Sequence, residues 1–301
     1  MAAGRTARTE PAQIRPTGKC PFHPLPVGPN PAATLCGPIN RWVHEEMSEK
    51  EHITTISFDG DATLWDFERV MRHSLSISLD ELRRRVPGPA SRELTVDRMI
   101  EIRNTVAAEF KGKTVNLEEI RVHAFRRTVH SVGCADNDLA ADLNALYLKH
   151  RFEDVELYPD VIVTLDVLRP RFTLGLLSNG NGYPERCGLP GRFTFVVFSQ
   201  DVGVEKPDPG IFAAACKQAA CKPGELMHVG DSLVSDVAGA RGAGAISVWL
   251  NRDGVVNSTA IRPDHEIETL AQLPDIAQLY KAASKTSNAR DGVSATREAP
   301  L

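Results

Sequence analysis

The sequence predicts an α/β fold, a doubly wound parallel sheet interrupted by a large helical insert. Two observations carry this reading. Short apolar, β-branched runs recur along the chain with helical patterns between most of them, and strands that alternate with helices pair in parallel. Residues 67–156 break that rhythm, because they read as four consecutive amphipathic helices with no strand.

Residues 1–46 are rich in Pro, Gly, Ala and Arg and show neither strand nor helix periodicity, so disorder is expected there. An Arg-containing, acid-poor start has the composition of a transit peptide, but its prolines oppose the amphipathic helix such peptides form. The alternative is that the natural start is Met47, since Met47-Ser48-Glu49-Lys50 leads straight into the first strand, Ile53–Phe58. The insert follows, with helices over about 67–86, 94–111, 117–131 and 137–150. Pro87-Gly88-Pro89 divides the first two, and Gly112 and Gly133 mark later stops.

The core then resumes. Strands are expected at Phe172–Leu177, Phe193–Phe198, Leu226–Val229 and Ile246–Leu250, with helices over about 159–169, 209–220, 233–242 and 269–283. The α/β core thus comprises 47–66 and 157–283, and the polar, patternless tail 284–301 is expected to be disordered.

Composition narrows the function. The chain has 301 residues, 42% hydrophobic and 25% charged, enough for a large core, and a formal net charge of −4. Lys and Arg are scattered, which excludes the basic stripe of a nucleic-acid binder. No run approaches the ~18 apolar residues that span a bilayer, and no apolar secretory run is present, so a cytoplasmic protein without a membrane partner is expected, as monomer or homodimer. The six cysteines form no Cys-x-x-Cys pair and no zinc spacing, and read as reduced thiols. Without a secretion signal, the sequon Asn257-Ser258-Thr259 carries no information.

Four short segments carry chemistry. Asp59 and Asp61 follow the first strand two residues apart, where an extended chain projects both side chains to one side; alone, Asp-Gly-Asp could equally be a polar turn. Ser178-Asn179-Gly180-Asn181 ends the second core strand with a hydroxyl and an amide suited to phosphate oxygens, although such a serine is commonly a turn residue. Lys206 lies in Glu205-Lys206-Pro207-Asp208-Pro209, before a helix opened by its prolines, and Asp231 and Asp236 flank a further helix start. All four lie at or just after the C-terminal end of a strand, where doubly wound sheets assemble their sites.

With these motifs in order, Asp59-x-Asp61-x-Thr63, Ser178, Lys206 and Gly230-Asp231-x-x-x-x-Asp236, the sequence resembles the haloacid dehalogenase superfamily over about residues 53–283. The family commonly carries Gly, Asp or Glu at the position of Ala62, which does no chemistry. The resemblance implies a Rossmann-like core with a four-helix cap and a Mg²⁺-dependent phosphatase acting on a small phosphorylated metabolite. It implies that Asp59 is the nucleophile, Asp61 the general acid/base and Lys206 the charge-neutralising residue. Ser178, the Asn179 N–H and Thr63 form its phosphate-side group, with Thr63 orienting the Asp59 loop. Mg²⁺ would be held by Asp59, the Asp61 carbonyl and Asp231, and supported through water by Asp236.

Substrate identity would be written in the cap, where Arg126, Arg127 and His130 are either leaving-group contacts or exposed helix residues. His228 reads as a satisfied core histidine, and Cys187 as a packed or exposed thiol. Four alternatives remain. A dehalogenase would not need Asp61, and a phosphomutase would keep it. A phosphonatase would need a cap lysine as Schiff base, from Lys111, Lys113 or Lys149. A non-catalytic module would normally lose a ligand or the nucleophile, and none is missing.

Overall fold

The computed structural model describes residues 52–280. The expectations for 1–46, for a start at Met47, for Cys20 and Cys36 and for the tail 284–301 lie outside the described residues. Six strands, β1 (Thr55–Phe58), β2 (Thr173–Ser178), β3 (Phe195–Phe198), β4 (Leu226–Gly230), β5 (Ile246–Leu250) and β6 (His265–Ile267), form one sheet in the order β3-β2-β1-β4-β5-β6. Every pairing is parallel. The chain winds outward from β1 to β3, then returns to the other side of β1 for β4 to β6. The order therefore reverses beside β1, which places the ligand crevice of such a sheet at the ends of β1 and β4.

The helices are α1 (Phe67–Arg85), α2 (Pro89–Glu93), α3 (Val96–Phe110), α4 (Leu117–Ser131), α5 (Asn137–Glu153), α6 (Val161–Leu168), α7 (Ser199–Val202), α8 (Pro209–Ala219), α9 (Gly239–Gly242) and α10 (Leu273–Gln278). Side chains at Asp66, Thr95, Asn116 and Asp136 accept backbone N–H groups at the starts of α1, α3, α4 and α5, which fixes where each long helix of the insert begins.

The structure differs from the sequence reading at three places. β6 was not expected, because three residues reading His-Glu-Ile make no apolar run. α2 was not expected either, since Pro87-Gly88-Pro89 reads as a divider; Pro89 instead supplies the first residue of a five-residue helix. The single helix expected over 233–242 is a π-helical stretch, Leu233–Ala238, that runs into α9, while 269–283 begins as a 3₁₀ turn, Leu270–Gln272, before α10.

Strand alternation splits the core into two layers. Ile56, Phe58, Leu174, Leu176, Met227 and Val229 pack toward α6 and α10, whereas Leu177, Phe195, Val197 and Leu226 pack toward α8 and α9. The insert buries its own cluster, including Leu79, Leu82, Phe125, Val129, Leu143 and Tyr147. Trp65 bridges to Asp61 on one side and Leu157 on the other, joining the loop after β1 to the segment that leads back from the insert.

Gly175 sits in β2 where a Cβ would overlap the Phe195 ring of the neighbouring strand. Gly175→Ala must displace that buried ring, and we expect a loss of about 1–3 kcal/mol, read from urea unfolding. An unchanged midpoint would contradict the packing described.

Candidate active site

β1 delivers Asp59 directly into the crevice beside the ends of β2 and β4. Asp59 keeps the alternation of Thr55 and Ser57, so its carboxyl emerges on the α8 side of the sheet. There it meets Lys206, whose Nζ lies 2.7 Å from Asp59 Oδ1, 2.6 Å from Asp236 Oδ1 and 2.9 Å from the Leu177 carbonyl. All three protons of the ammonium are thereby used. The lysine is held in turn by Asn179, whose side chain accepts from Lys206 N at 2.7 Å and donates to Lys206 O at 3.0 Å. Asp236 also meets His228 Nε2 at 3.0 Å and accepts from Ser232 N at 2.9 Å, and His228 Nδ1 lies 2.8 Å from Ser57 Oγ.

The site is electrostatically loaded. Carboxyl oxygens of Asp59, Asp231 and Asp236 come within 4.8 Å of one another. Burial pushes Asp59 up to about 7, against the pull of Lys206 and with the Asp236 charge adding to the rise. Asp231 is raised to about 6, by burial first and then by Asp236. Burial would raise Asp236 too, but Lys206 and His228 outweigh it and hold that carboxyl well below the ordinary range. Three carboxylates against one ammonium leave an excess of two negative charges, and all the donors are hard oxygens. That set fits a divalent cation of the magnesium type.

Asp61 borders the same cavity, of about 150 Å³, with Asp59, Ser178, Asn179, Gly180 and Lys206. Trp65 Nε1 donates to Asp61 Oδ1 at 2.7 Å, and Arg151 Nη2 stands 3.7 Å from Oδ2. Gly180 permits this approach, because a Cβ there would lie 2.8 Å from Asp61 Oδ2. The intervening Ala62 takes the left-handed conformation, φ 61°, which glycine adopts without strain.

Other expectations sort plainly. Thr63, grouped with the phosphate-side residues, is fully buried and does not line the cavity; its carbonyl accepts from Arg252 Nη2 at 3.0 Å, so the contact it offers is to the loop scaffold. Arg126, Arg127 and His130 are exposed, and Arg127 is paired with Glu109 at 2.8 Å, so these three are exposed helix residues. Lys111, Lys113 and Lys149 are exposed as well. Cys187 is buried and its thiol pushed up to about 11, away from nucleophilic use. The four cysteines among the described residues are free thiols.

Sequence reasoning missed Trp65, the clasp by the Asn179 side chain and Arg151. Arg151 continues the helical series Leu143 and Tyr147 at four-residue spacing, a signal that would have put its guanidinium on the buried face of α5.

A parallel sheet in this order, with a carboxylate cluster at its reversal point and a helical insert after the first strand, defines a hydrolase of the haloacid dehalogenase-like class. The chain belongs to that family, since residues 53–244 match the model of the haloacid dehalogenase-like hydrolases. It is 35% identical over 150 residues to glyceraldehyde 3-phosphate phosphatase of Methanopyrus kandleri, a match spanning 46% of this chain and 64% of that one. It is 26% identical over 236 residues to N-acylneuraminate-9-phosphatase of Homo sapiens, spanning 75% and 94%. Among solved structures, a 2-haloacid dehalogenase from Pseudomonas syringae pv. Tomato DC3000 superposes with a TM-score of 0.65 at 31% identity, covering 75% of this chain and 99% of that one. No helix among the described residues is long and apolar enough to cross a membrane.

Lys206→Met would strand Asp59 and Asp236 without their ammonium. Metal-free protein at pH about 8 should lose about 3–5 kcal/mol in urea unfolding. The loss should shrink toward pH 5 as Asp59 takes up a proton; a change below about 1 kcal/mol at pH 8 would contradict the pairing.

Proposed function

We propose that the protein is a Mg²⁺-dependent phosphatase that hydrolyses a small phosphate monoester through an aspartyl-phosphate on Asp59. The observation that carries this reading is the convergence of Asp59, Asp61, Ser178, Asn179 and Lys206 on one small cavity. Asp59 and Asp231, with the main-chain carbonyl of Asp61, would hold the ion. Both Asp236 oxygens are already engaged by Lys206, His228 and Ser232, which suits support through water. When bound, Mg²⁺ would screen the approach of an anionic ester to an anionic nucleophile and orient the in-line displacement.

The remaining steps belong to the chain's own residues. Asp59 attacks phosphorus and the ester oxygen departs with a proton from Asp61, whose position is set by Trp65. Lys206 offsets charge on Asp59, while Ser178 and the Asn179 N–H hold the equatorial oxygens. Water then attacks phosphorus, returning its proton to Asp61, and phosphate leaves with Asp59 regenerated.

In a dehalogenase reading Asp59 would again be the nucleophile, and water would attack its carboxyl carbon. An acid two residues on, oriented into the cavity by an indole, favours a leaving group that needs a proton, as an alkoxide does and a halide does not.

Phosphate release from aryl phosphates and a panel of small phosphate esters should require Mg²⁺, and Asp59→Asn should abolish it. Asp61→Asn should lower kcat by about 10²–10⁴-fold. Full activity in Asp59→Asn, or equal activity after metal removal, would overturn the proposal.

A thermal test needs no substrate. With Asp59 near 7 and Asp231 near 6, protons compete with the cation below those values, so Mg²⁺ should raise Tm more at pH about 8 than at pH about 5. An equal or inverted shift would contradict the assigned ligands.

A further inference from the structure

Beneath the helical insert lies a second chamber of about 270 Å³, bordered by Asp61, Asn179 and Gly180, the same residues that edge the carboxylate cavity. An ester whose phosphorus sits at Asp59 would therefore extend its alcohol portion into this chamber. Its walls include Phe67, Leu75, Met99 and Phe125, and they are interrupted by three guanidinium groups, one each from α3, α4 and α5: Arg103, Arg121 and Arg151.

Arg151 is committed, standing near Asp61 with the Phe67 and Phe152 ring centroids each 5.0 Å away. The other two are not. Arg103 donates to Met71 Sδ at 3.0 Å and lies 5.8 Å from the Phe67 centroid, and Arg121 lies 5.9 Å from that of Tyr147. Among the described residues neither forms an ion pair, whereas Arg98 and Arg127 of the same two helices each hold a carboxylate. Burial holds Arg121 below the ordinary guanidinium range; Tyr147 and Glu118 oppose that shift, and the like charges of Arg151 and Arg103 add to it.

Asp61, the carboxylate among the lining residues, faces Arg151, so the charges of Arg103 and Arg121 stand in an apolar chamber without a carboxylate of their own; that is costly, and an anion entering would relieve the cost. Asn181, 7% exposed, also lines the chamber, and its side-chain oxygen has no hydrogen-bond partner among the described residues; as an acceptor it suits a donor elsewhere on the ligand, not the anion itself. Beyond Asn181 the lining is mostly apolar side chains and guanidinium groups, and the Thr128 hydroxyl has its proton on the Ala124 carbonyl at 2.9 Å, so a polyol with several hydroxyls would find few acceptors. An ammonium-bearing alcohol would meet three like charges.

We propose that the chamber selects esters whose alcohol portion is apolar and ends in an anionic group of the carboxylate class, bound by Arg121 and Arg103. This rests on the phosphatase reading of the adjoining cavity. It disfavours polyhydroxylated and amino-acid alcohols.

Calorimetric titration of the full chain with 3-phenylpropionate and with its neutral amide tests the chamber without turnover. The carboxylate should bind about 10-fold or more tightly than the amide. Arg121→Gln should erase that preference, and Arg127→Gln, an exposed position on the same helix, should keep it. Should Arg121→Gln not fold, Arg103→Gln reports on the same preference. Equal binding of acid and amide, binding of neither, or a preference that survives in the folded variants would overturn the proposal. Phenyl phosphate hydrolysis, measured alongside, separates the two readings: hydrolysis without a carboxylate preference sinks the chamber alone, and a preference without hydrolysis sinks the phosphatase reading.

Discussion

One buried ammonium organises the site. Lys206 is placed between Asp59 and Asp236, with its third proton on a main-chain carbonyl of β2, so three strands and the chain after β3 are tied together at one nitrogen. Without that charge, carboxylates from β1 and from beyond β4 could not share the crevice in ionised form. The Asn179 clasp on the Lys206 backbone makes the arrangement directional, because the residue that follows β2 sets where the lysine enters. Even so, one ammonium does not balance three carboxylates. The remaining negative charge is the physical reason the cluster suits a divalent cation.

The sequence was informative where a feature is local. Apolar β-branched runs marked five of the six strands, and residues at strand ends marked Asp59, Ser178, Lys206, Asp231 and Asp236. The misses share a different cause. β6 is held in place by its parallel pairing with β5, not by hydrophobic content of its own. Asn179 and Arg151 act through partners 27 and 90 residues away, and no local window joins such positions. The cap candidates illustrate the converse: Arg126, Arg127 and His130 are exposed, because helical phase puts Arg121, Ala124 and Phe125 on the inward side of α4.

Asp61 stands where two environments meet. On one side is a polar pocket dense with carboxylates; on the other is an apolar chamber studded with guanidinium groups. On the proposed reading, phosphoryl chemistry and leaving-group recognition would be separated in space and share one acid. Trp65 fixes that acid and, by bridging Asp61 to Leu157, also joins the loop after β1 to the segment that leads back from the insert. A family fold used with many substrates can keep the first environment and vary the second.

The central claim is that Asp59 becomes covalently phosphorylated. Acid quench of the enzyme during turnover of a phosphate ester, followed by peptide mass mapping, tests it most directly. The account predicts a phosphoryl group on the peptide containing Asp59 and none in Asp59→Asn. Turnover with that peptide unmodified at every quench time, or carrying the organic portion of the substrate, would contradict it.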